Sequence, residues 1–196
     1  MDEKTQEQND AGTVQYRPRL ALYHANPRGT GCAMTMDLHP AHDFKGGCIM
    51  LNAAAQCSVG GKNGGKTEFS RFDWQNAVTV KLDFYDLCQF LQVFKGECES
   101  ICEGRGLFHT SSAATAKIGL RHIVEPLAGY VLDIYRTPRG GTETHVRFMF
   151  TPSEAAGLCC AIESSMFYVC FGLPVVLPHE RAAAGTARKG AGDAAA

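Results

Sequence analysis

Twice along this 196-residue sequence, a series of short segments with alternating apolar residues is followed by one segment with helical spacing. Alternation predicts strands with one buried face, whereas apolar residues three and four positions apart predict a helix. The first change of period comes at Asp83 and the second at Thr151. Strands followed by a helix, twice, predict an α+β fold with antiparallel sheets.

The first four strands are predicted between residues 20 and 82. Two cover Leu20–Ala25 and Cys32–Leu38, and a third follows Gly46-Gly47. The fourth is predicted as one continuous strand over residues 72–82, because Phe72, Trp74, Asn76, Val78, Val80 and Leu82 alternate. Asp83 is then the predicted N-cap of a helix that ends at Gly96.

The second half repeats this order. Strands are predicted over residues 101–110, 117–124, 130–136 and 145–151. Thr151-Pro152-Ser153-Glu154 predicts a helix start, because Thr151 can cap, proline fits the first turn and Glu154 can complete a capping box. Gly172 and Pro174 end this predicted helix.

The ends of the sequence differ from its middle. Residues 1–13 are polar, and residues 179–196 are rich in alanine and glycine, so both are predicted to be flexible tails around one domain of residues 14–178. Because the sequence starts with polar, acidic residues, we expect no signal peptide. Because it contains no run of 18 apolar residues, we also expect no transmembrane helix. We therefore expect a cytoplasmic protein without a membrane partner.

The net charge of −1 excludes a protein that holds nucleic acid by bulk positive charge alone. The charge is unevenly distributed, however. The helical stretches 83–103 and 151–178 carry −6, whereas the remainder of residues 14–178 carries +7. Acidic residues on solvated helix faces account for this division, and so does a sheet surface suited to polyanions.

Aromatic and basic residues are interleaved on the predicted strands. Single-stranded nucleic acid is bound by this combination, because bases stack on aromatic rings while cations hold the phosphates. The alternative is that several of these rings belong to the core. The candidate binding residues from this pattern are Arg71, Phe72, Trp74, Lys81, Lys117, Arg121, Tyr135 and Arg147.

One motif points to a different function. Gly60, Gly65, Lys66 and Thr67 satisfy G-x-x-x-x-G-K-[ST], the phosphate-binding loop of nucleotide hydrolases. That loop requires a helix after it, and the residues that follow are strand-like, so a glycine-rich hairpin is the expected structure. A nucleotide-binding protein using Gly60–Thr67 remains an alternative hypothesis, and no other motif supports an enzyme. The two lysines of this loop, Lys62 and Lys66, are also expected to help hold nucleic acid.

The nine cysteines predict reduced thiols, since no secretory signal accompanies them and their number is odd. Cys98-x-x-x-Cys102, Cys159-Cys160 and His39-x-x-His42 lack the spacing of a structural zinc site. We expect no metal and no cofactor.

Several motifs, in order along residues 20–173, are similar to one known family. GCAMTMDLHP follows Tyr23, and the strand GGCIMLNAAA comes next. FDWQNAVTVKLDFYDLCQFL is similar to a Y-D-W strand that runs into a first helix, and ICEGRGLFHT to a Cys-Glu-Phe-Phe-His strand. LRHIVEPLAGYVLDI and TPSEAAGLCCAIESSMFYVCFG are similar to the later strand and the closing helix. In this order the motifs resemble the Whirly family of single-stranded-DNA-binding proteins, whose fold is shared with kinetoplastid guide-RNA-binding proteins.

The resemblance implies two four-stranded antiparallel sheets packed crosswise, each followed by a helix, and a homotetramer joined through helices. It implies binding of single-stranded DNA or RNA with little sequence specificity, in repair, recombination or transcription. It adds Tyr23 to the candidate residues. Plant members have Lys-Gly-Lys-Ala-Ala-Leu where this chain has residues 29–34 without lysine, so phosphate contacts are expected at Arg28 or Lys45. Without a transit peptide, a bacterial or phage-like member is expected, associated with a nucleoid if bacterial.

A third hypothesis needs no ligand at all. The apolar helices would assemble copies of the chain into an oligomeric scaffold, and the sheets would bind nothing. Oligomers without affinity for nucleic acid would favour it.

Overall fold

The computed structural model describes residues 19–63 and 65–173, which form two antiparallel sheets, a small hairpin and two α-helices. This confirms the α+β class. The predicted tails, residues 1–13 and 179–196, lie outside the described residues, as does Pro174.

The first sheet has five strands, in the order β1-β2-β3-β6, with β7 also paired to β3. The bounds are β1 Arg19–His24, β2 Cys32–His39, β3 Cys48–Ser58, β6 Arg71–Phe72 and β7 Val78–Leu82. Between β3 and β6, a separate hairpin is formed by β4 Gly61–Asn63 and β5 Lys66–Glu68.

The prediction of one continuous strand over residues 72–82 is wrong. A 3-10 turn at Trp74–Asn76 separates β6 from β7. Asp73 causes the interruption, because its carboxylate accepts hydrogen bonds from the Asn76 backbone N–H at 3.2 Å and from Asn76 Nδ2 at 2.8 Å. Such local bonds give the backbone an alternative to the strand ladder. The first sheet is therefore five-stranded rather than four-stranded.

The second sheet has the four strands predicted for it, in the order β11-β10-β9-β8. The bounds are β8 Leu107–Thr110, β9 Ala114–Ile123, β10 Gly129–Pro138 and β11 Thr144–Phe150. The prediction of a strand over residues 101–110 is wrong for its first half, where Ile101–Gly104 forms a 3-10 turn. Cys102 and Glu103 have φ angles of 47° and 54°, a left-handed conformation that a strand cannot contain.

The two helices begin at the predicted residues. The bounds are α1 Phe84–Phe94 and α2 Pro152–Phe171, and both helices have a complete capping box. The inward faces of both sheets and both helices share one hydrophobic core, which includes Met34, Leu51, Leu87, Phe90, Leu132, Phe148, Leu158 and Ile162. The outward faces of the sheets are therefore the surfaces left for a ligand.

Helix α2 is more exposed than a core helix. It has 20 residues, and an 18-residue window of it has a mean hydropathy of 1.3 with 22% of that window buried. By length and composition alone, α2 is long and apolar enough to cross a membrane. The sequence did not predict this, because Glu154 and Glu163 interrupt the apolar run of the helix. Core helices pass the same test, and α2 inserts Leu158 and Ile162 into the core.

Candidate nucleic-acid interface

Three aromatic side chains meet at one end of the outer face of the first sheet. The ring centroids of Tyr23 and Phe72 are 5.7 Å apart, and those of Tyr23 and Trp74 are 6.5 Å apart with the rings nearly perpendicular. Tyr23 is 59% exposed and Trp74 is 40% exposed. We call these three residues the aromatic cluster, and it offers ring surface to solvent on a rigid sheet.

Each ring of the aromatic cluster is positioned by a different element. Tyr23 lies on β1 directly opposite Ala33, and Phe72 lies on β6 opposite Gln56 of β3. Trp74 lies on the 3-10 turn that Asp73 stabilises. The interruption of the predicted strand therefore turns Trp74 out of the ladder and brings it to Tyr23.

The buried side chain of Gln56 ties the β1–β2 loop to this end of the sheet. Its Oε1 accepts hydrogen bonds from the backbone N–H groups of Asn26, at 2.9 Å, and Gly31, at 3.1 Å. Its Nε2 donates to the carbonyl oxygens of Asn26 and Ser58. A Cβ at Gly31 would collide with the His24 carbonyl and with Gln56 Oε1, so only glycine fits there.

Four exposed cations lie on the loop, the hairpin and the short strand β6 at this end of the sheet. Arg28 lies in the loop that Gln56 holds, and Arg71 adjoins Phe72. Lys62 and Lys66 lie on the β4–β5 hairpin, which two residues separate from the end of β3. Within residues 19–63 and 65–173, none of these four cations has an ion-pair partner. Their charges are therefore available to a ligand.

The hairpin also decides how the G-x-x-x-x-G-K-[ST] match folds. Its residues form β4 and β5, and the next α-helix begins only at Phe84. A phosphate-binding loop needs its strand followed directly by a helix whose N-terminal N–H groups face the phosphates. The described part of the chain lacks that arrangement and has instead the hairpin that the sequence predicted. The geometry therefore does not support a nucleotide site at Gly60–Thr67.

Two predicted binding residues lie away from the aromatic cluster. Lys81, on β7, is opposite Met50, which in turn is opposite Asp37 on β2. The β1 partner of Asp37 is Arg19, so Lys81 lies in the same cross-strand row as Arg19. Tyr23 is four residues from Arg19 along β1, roughly 13 Å along the strand direction. Lys45 lies in the β2–β3 turn, whose neighbours bond to the C-terminal turn of α2. The structure does not bring these two lysines together with the aromatic rings.

The outer face of the second sheet carries the other predicted cations around one buried carboxylate. Asp133, on β10, accepts hydrogen bonds from Arg147 at 2.7 and 3.2 Å, from His145 at 2.8 Å and from Arg121 at 3.1 Å. Burial opposes the charged form of Asp133, but the bonds from Arg147, His145 and Arg121 outweigh it and lower the pKa of this carboxyl. We call these four residues the Asp133 cluster.

The aromatic rings of this second face already have partners. Tyr135 stacks on His145 with a centroid distance of 4.2 Å and an angle of 4° between the rings. Lys117 Nζ lies 5.3 Å from the centroid of Phe108, which is 68% exposed. The structure thus brings together Lys117, Arg121, Tyr135 and Arg147 on one face, separate from the aromatic cluster.

Several residues of these two faces were not predicted as binding residues. Phe108 lies on a strand of only four residues, too short for alternation to show its exposure. Gln56 and Asp133 are buried polar residues inside apolar strands, and that pattern was the signal that could have found them. Lys62 and Lys66 differ from these three residues, because the glycine-rich loop already indicated them as lysines that help to hold nucleic acid.

The cysteines and histidines form no further site in residues 19–63 and 65–173. All nine cysteines are free thiols, and no group of three or more His, Cys, Asp or Glu residues is placed to hold a metal ion there. Burial raises the pKa of the Cys32 thiol to about 12, so this thiol stays protonated and unreactive.

Comparison with solved structures identifies the fold. The chain superimposes on WHY1 from Arabidopsis thaliana with a TM-score of 0.64 over 81% of this chain and 88% of that one, at 15% identity. WHY3 from the same plant gives 0.62 over 80% and 90%, also at 15% identity. The plant transcriptional regulator PBF-2 gives 0.60 over 80% and 84%, at 16% identity. The Whirly fold expected from the sequence is therefore confirmed, as a fold. The sequence matches no protein-family model and no curated protein.

Proposed function

We propose that this protein binds single-stranded nucleic acid without enzymatic activity, with bases on the aromatic cluster and the backbone along nearby cations. The observation that carries the proposal is that two exposed rings, Tyr23 and Trp74, lie at the same end of the first sheet as four cations that have no ion-pair partner among the described residues. Each stacked base contributes about 1–3 kcal/mol, so a protein of net charge −1 needs few cations for useful affinity.

Absence of sequence specificity follows from the same chemistry. All bases have a π-face, and Arg28, Arg71, Lys62 and Lys66 would contact phosphates, which are the same in every sequence. The Whirly resemblance and the shared fold support this function, and PBF-2 is described as a transcriptional regulator. A role in transcription or DNA maintenance is accordingly part of the proposal.

The second face would extend the path of the strand. Lys117, Arg121, Tyr135 and Arg147 lie on the outer face of a sheet that would pack crosswise on the first. In an oligomer, the Asp133 cluster of one protomer would continue the surface that begins at the aromatic cluster of another. Because Asp133 already neutralises part of the charge there, this second face would bind more weakly than the first.

The oligomer would form through α2. Phe167 is 54% exposed and Phe171 is 76% exposed, and Leu173 follows them on the surface. A second copy of the chain would cover this apolar surface, and the family resemblance implies a tetramer. We expect Phe167→Ser with Phe171→Ser to lower the mass measured by light scattering to that of a monomer. A wild-type chain that is monomeric at tens of micromolar would contradict the oligomer.

Binding is tested with a fluorescent (dT)₂₀ strand and fluorescence anisotropy at low salt. We expect micromolar or tighter affinity for the single strand and much weaker affinity for a duplex of the same length. An RNA strand of equal length in the same assay decides between DNA and RNA. Oligomers without measurable affinity for any of these strands would contradict the proposal and support the scaffold hypothesis.

A further inference from the structure

A cleft lies between the free edge of β7 and the β8–β9 hairpin, away from the aromatic cluster. Its volume is about 450 Å³, within the range of small-ligand sites. Met50, Val80, Ala114 and Ala116 form its apolar walls. The polar lining includes two threonines and four charged residues: Thr79, Thr115, Lys81, Asp83, Asp86 and Arg136.

Arg136 is the unusual residue of this cleft. It alternates with Leu132 and Ile134 on β10, so it lies on the inward face of the second sheet, where it is half-buried. Within the described residues it has neither an ion-pair nor a hydrogen-bond partner. The described residues contain no buried side-chain nitrogen that lacks a hydrogen-bond partner, so the guanidinium nitrogens of Arg136 are open to the cleft and can donate to a ligand there.

Lys81 supplies a second cation from the other sheet. Its ammonium is exposed, and it too has no ion-pair partner within residues 19–63 and 65–173. Two unpaired cations, one from each sheet, therefore line a single cleft.

The two acids of the cleft keep their negative charges, but both carboxylates bond at the start of α1 rather than to Lys81 or Arg136. Asp83 accepts hydrogen bonds from the backbone N–H groups of Tyr85 and Asp86. Asp86 accepts from the Asp83 N–H at 3.0 Å, and its carboxylate lies 3.1 Å from His109 Nε2. The helix N-terminus and His109 thus satisfy the acids, and Lys81 and Arg136 remain available.

We propose that this cleft binds a phosphate monoester, held by Arg136 and Lys81, as a site additional to the single-strand interface. A guanidinium donates two parallel hydrogen bonds to a phosphate, and a lysine adds a point charge, which suits a group of charge near −2. The threonine hydroxyls and apolar walls would contact the attached nucleoside. The monoester comes either from a free nucleotide or from the 5′-terminal phosphate of a bound strand.

Calorimetric titration of the full chain with AMP, and with adenosine as the probe without phosphate, tests the site. We expect AMP to bind at least tenfold tighter than adenosine, and Lys81→Gln with Arg136→Gln to abolish that difference. The matched control is Arg105→Gln with Arg139→Gln, which removes two exposed cations outside the cleft and should leave AMP affinity unchanged. Because Arg136 has no partner to lose, the cleft variant should keep its thermal midpoint.

Equal affinity for AMP and adenosine, or unchanged AMP binding in the cleft variant, would overturn the site.

The two sources of the monoester, a free nucleotide and the 5′ end of a strand, are separated with (dT)₁₂ carrying or lacking a 5′-phosphate. If the strand end occupies the cleft, the 5′-phosphate tightens binding to the wild type but not to the cleft variant. If the ligand is a free nucleotide, both strands bind alike while AMP still binds. AMP binding is also measured with the Tyr23→Ala/Trp74→Ala variant, whose changes lie outside the cleft. AMP affinity that is unchanged in this variant would show that the cleft site does not depend on the proposed single-strand interface.

Discussion

The outer faces of the two sheets carry similar residues in different states. On the first, Tyr23 and Trp74 expose their rings and the cations around them have no ion-pair partners among the described residues. On the second, Tyr135 stacks on His145, and both arginines bond to Asp133. Aromatic and basic content alone therefore does not measure a binding surface. What matters is whether the protein already satisfies those groups itself.

The largest effect is expected from the aromatic cluster. Tyr23→Ala with Trp74→Ala should weaken binding to a single strand by about 1–3 kcal/mol for each base that loses its stacking partner. The control is Tyr135→Ala on the second face, which should cost less because its ring is already stacked on His145. Anisotropy titrations of both variants check this, and equal losses would remove the distinction between the faces.

The second test removes the central carboxylate of the Asp133 cluster. Asp133→Ala leaves Arg121, His145 and Arg147 around an empty buried position, and we expect the free energy of unfolding to fall by about 3 kcal/mol. Chemical denaturation measures the loss. The freed cations should also tighten binding to a single strand and steepen its salt dependence. A variant with unchanged salt dependence would show that the second face does not meet the strand.

The hairpin lysines provide a smaller test on the first face. Lys62→Gln with Lys66→Gln should reduce the slope of log affinity against log salt by about 1.4, since each phosphate contact to a single strand contributes about 0.7. Affinity measured at three or more salt concentrations gives the slope. Arg105→Gln with Arg139→Gln removes the same charge elsewhere and should leave the slope unchanged. A slope that falls equally in both variants would indicate a diffuse charge effect.

The smallest effect concerns acid stability. Because the pKa of Asp133 is lowered in the folded protein, its stabilising contribution is complete above the ordinary carboxyl pKa of about 4 and is lost as pH falls through the lowered value. The pKa of Glu154 is lowered as well, against burial, by bonds from Thr151 and His24. Asp133→Asn should therefore flatten the decline of the unfolding free energy below pH 4. A variant that declines as steeply as the wild type would assign that decline to other carboxylates.

Sequence reasoning predicted the parts of the fold that local chemistry controls. Asp83 and Thr151 begin the helices as predicted, since each capping bond spans only a few residues. The strand predictions failed where a local hydrogen bond or a left-handed residue overrides alternation, at Asp73 and at Cys102. Both failures are at short turns that leave the apolar pattern around them unchanged.

The candidate interface could be predicted only as a set of residue types. Alternation and composition gave eight of the eleven candidates as rings and cations on strands, and the family resemblance contributed the other three, Tyr23, Arg28 and Lys45. Which of them meet is decided by strand register and loop closure, which join residues far apart in the chain. Gln56 holds the loop that contains Arg28, and Asp133 lies opposite Arg147 in the register of β10 and β11.

The sequence by itself determined the α+β class, the helix starts and the presence of a basic strand portion, because periodicity and capping act between neighbours in the chain. Only the tertiary structure decided which charges are satisfied, since Asp133 neutralises cations from two other strands while Arg28 and Arg136 have no such partner in the described residues. The free energy of a charged side chain depends on what surrounds it in space, and composition does not contain that information.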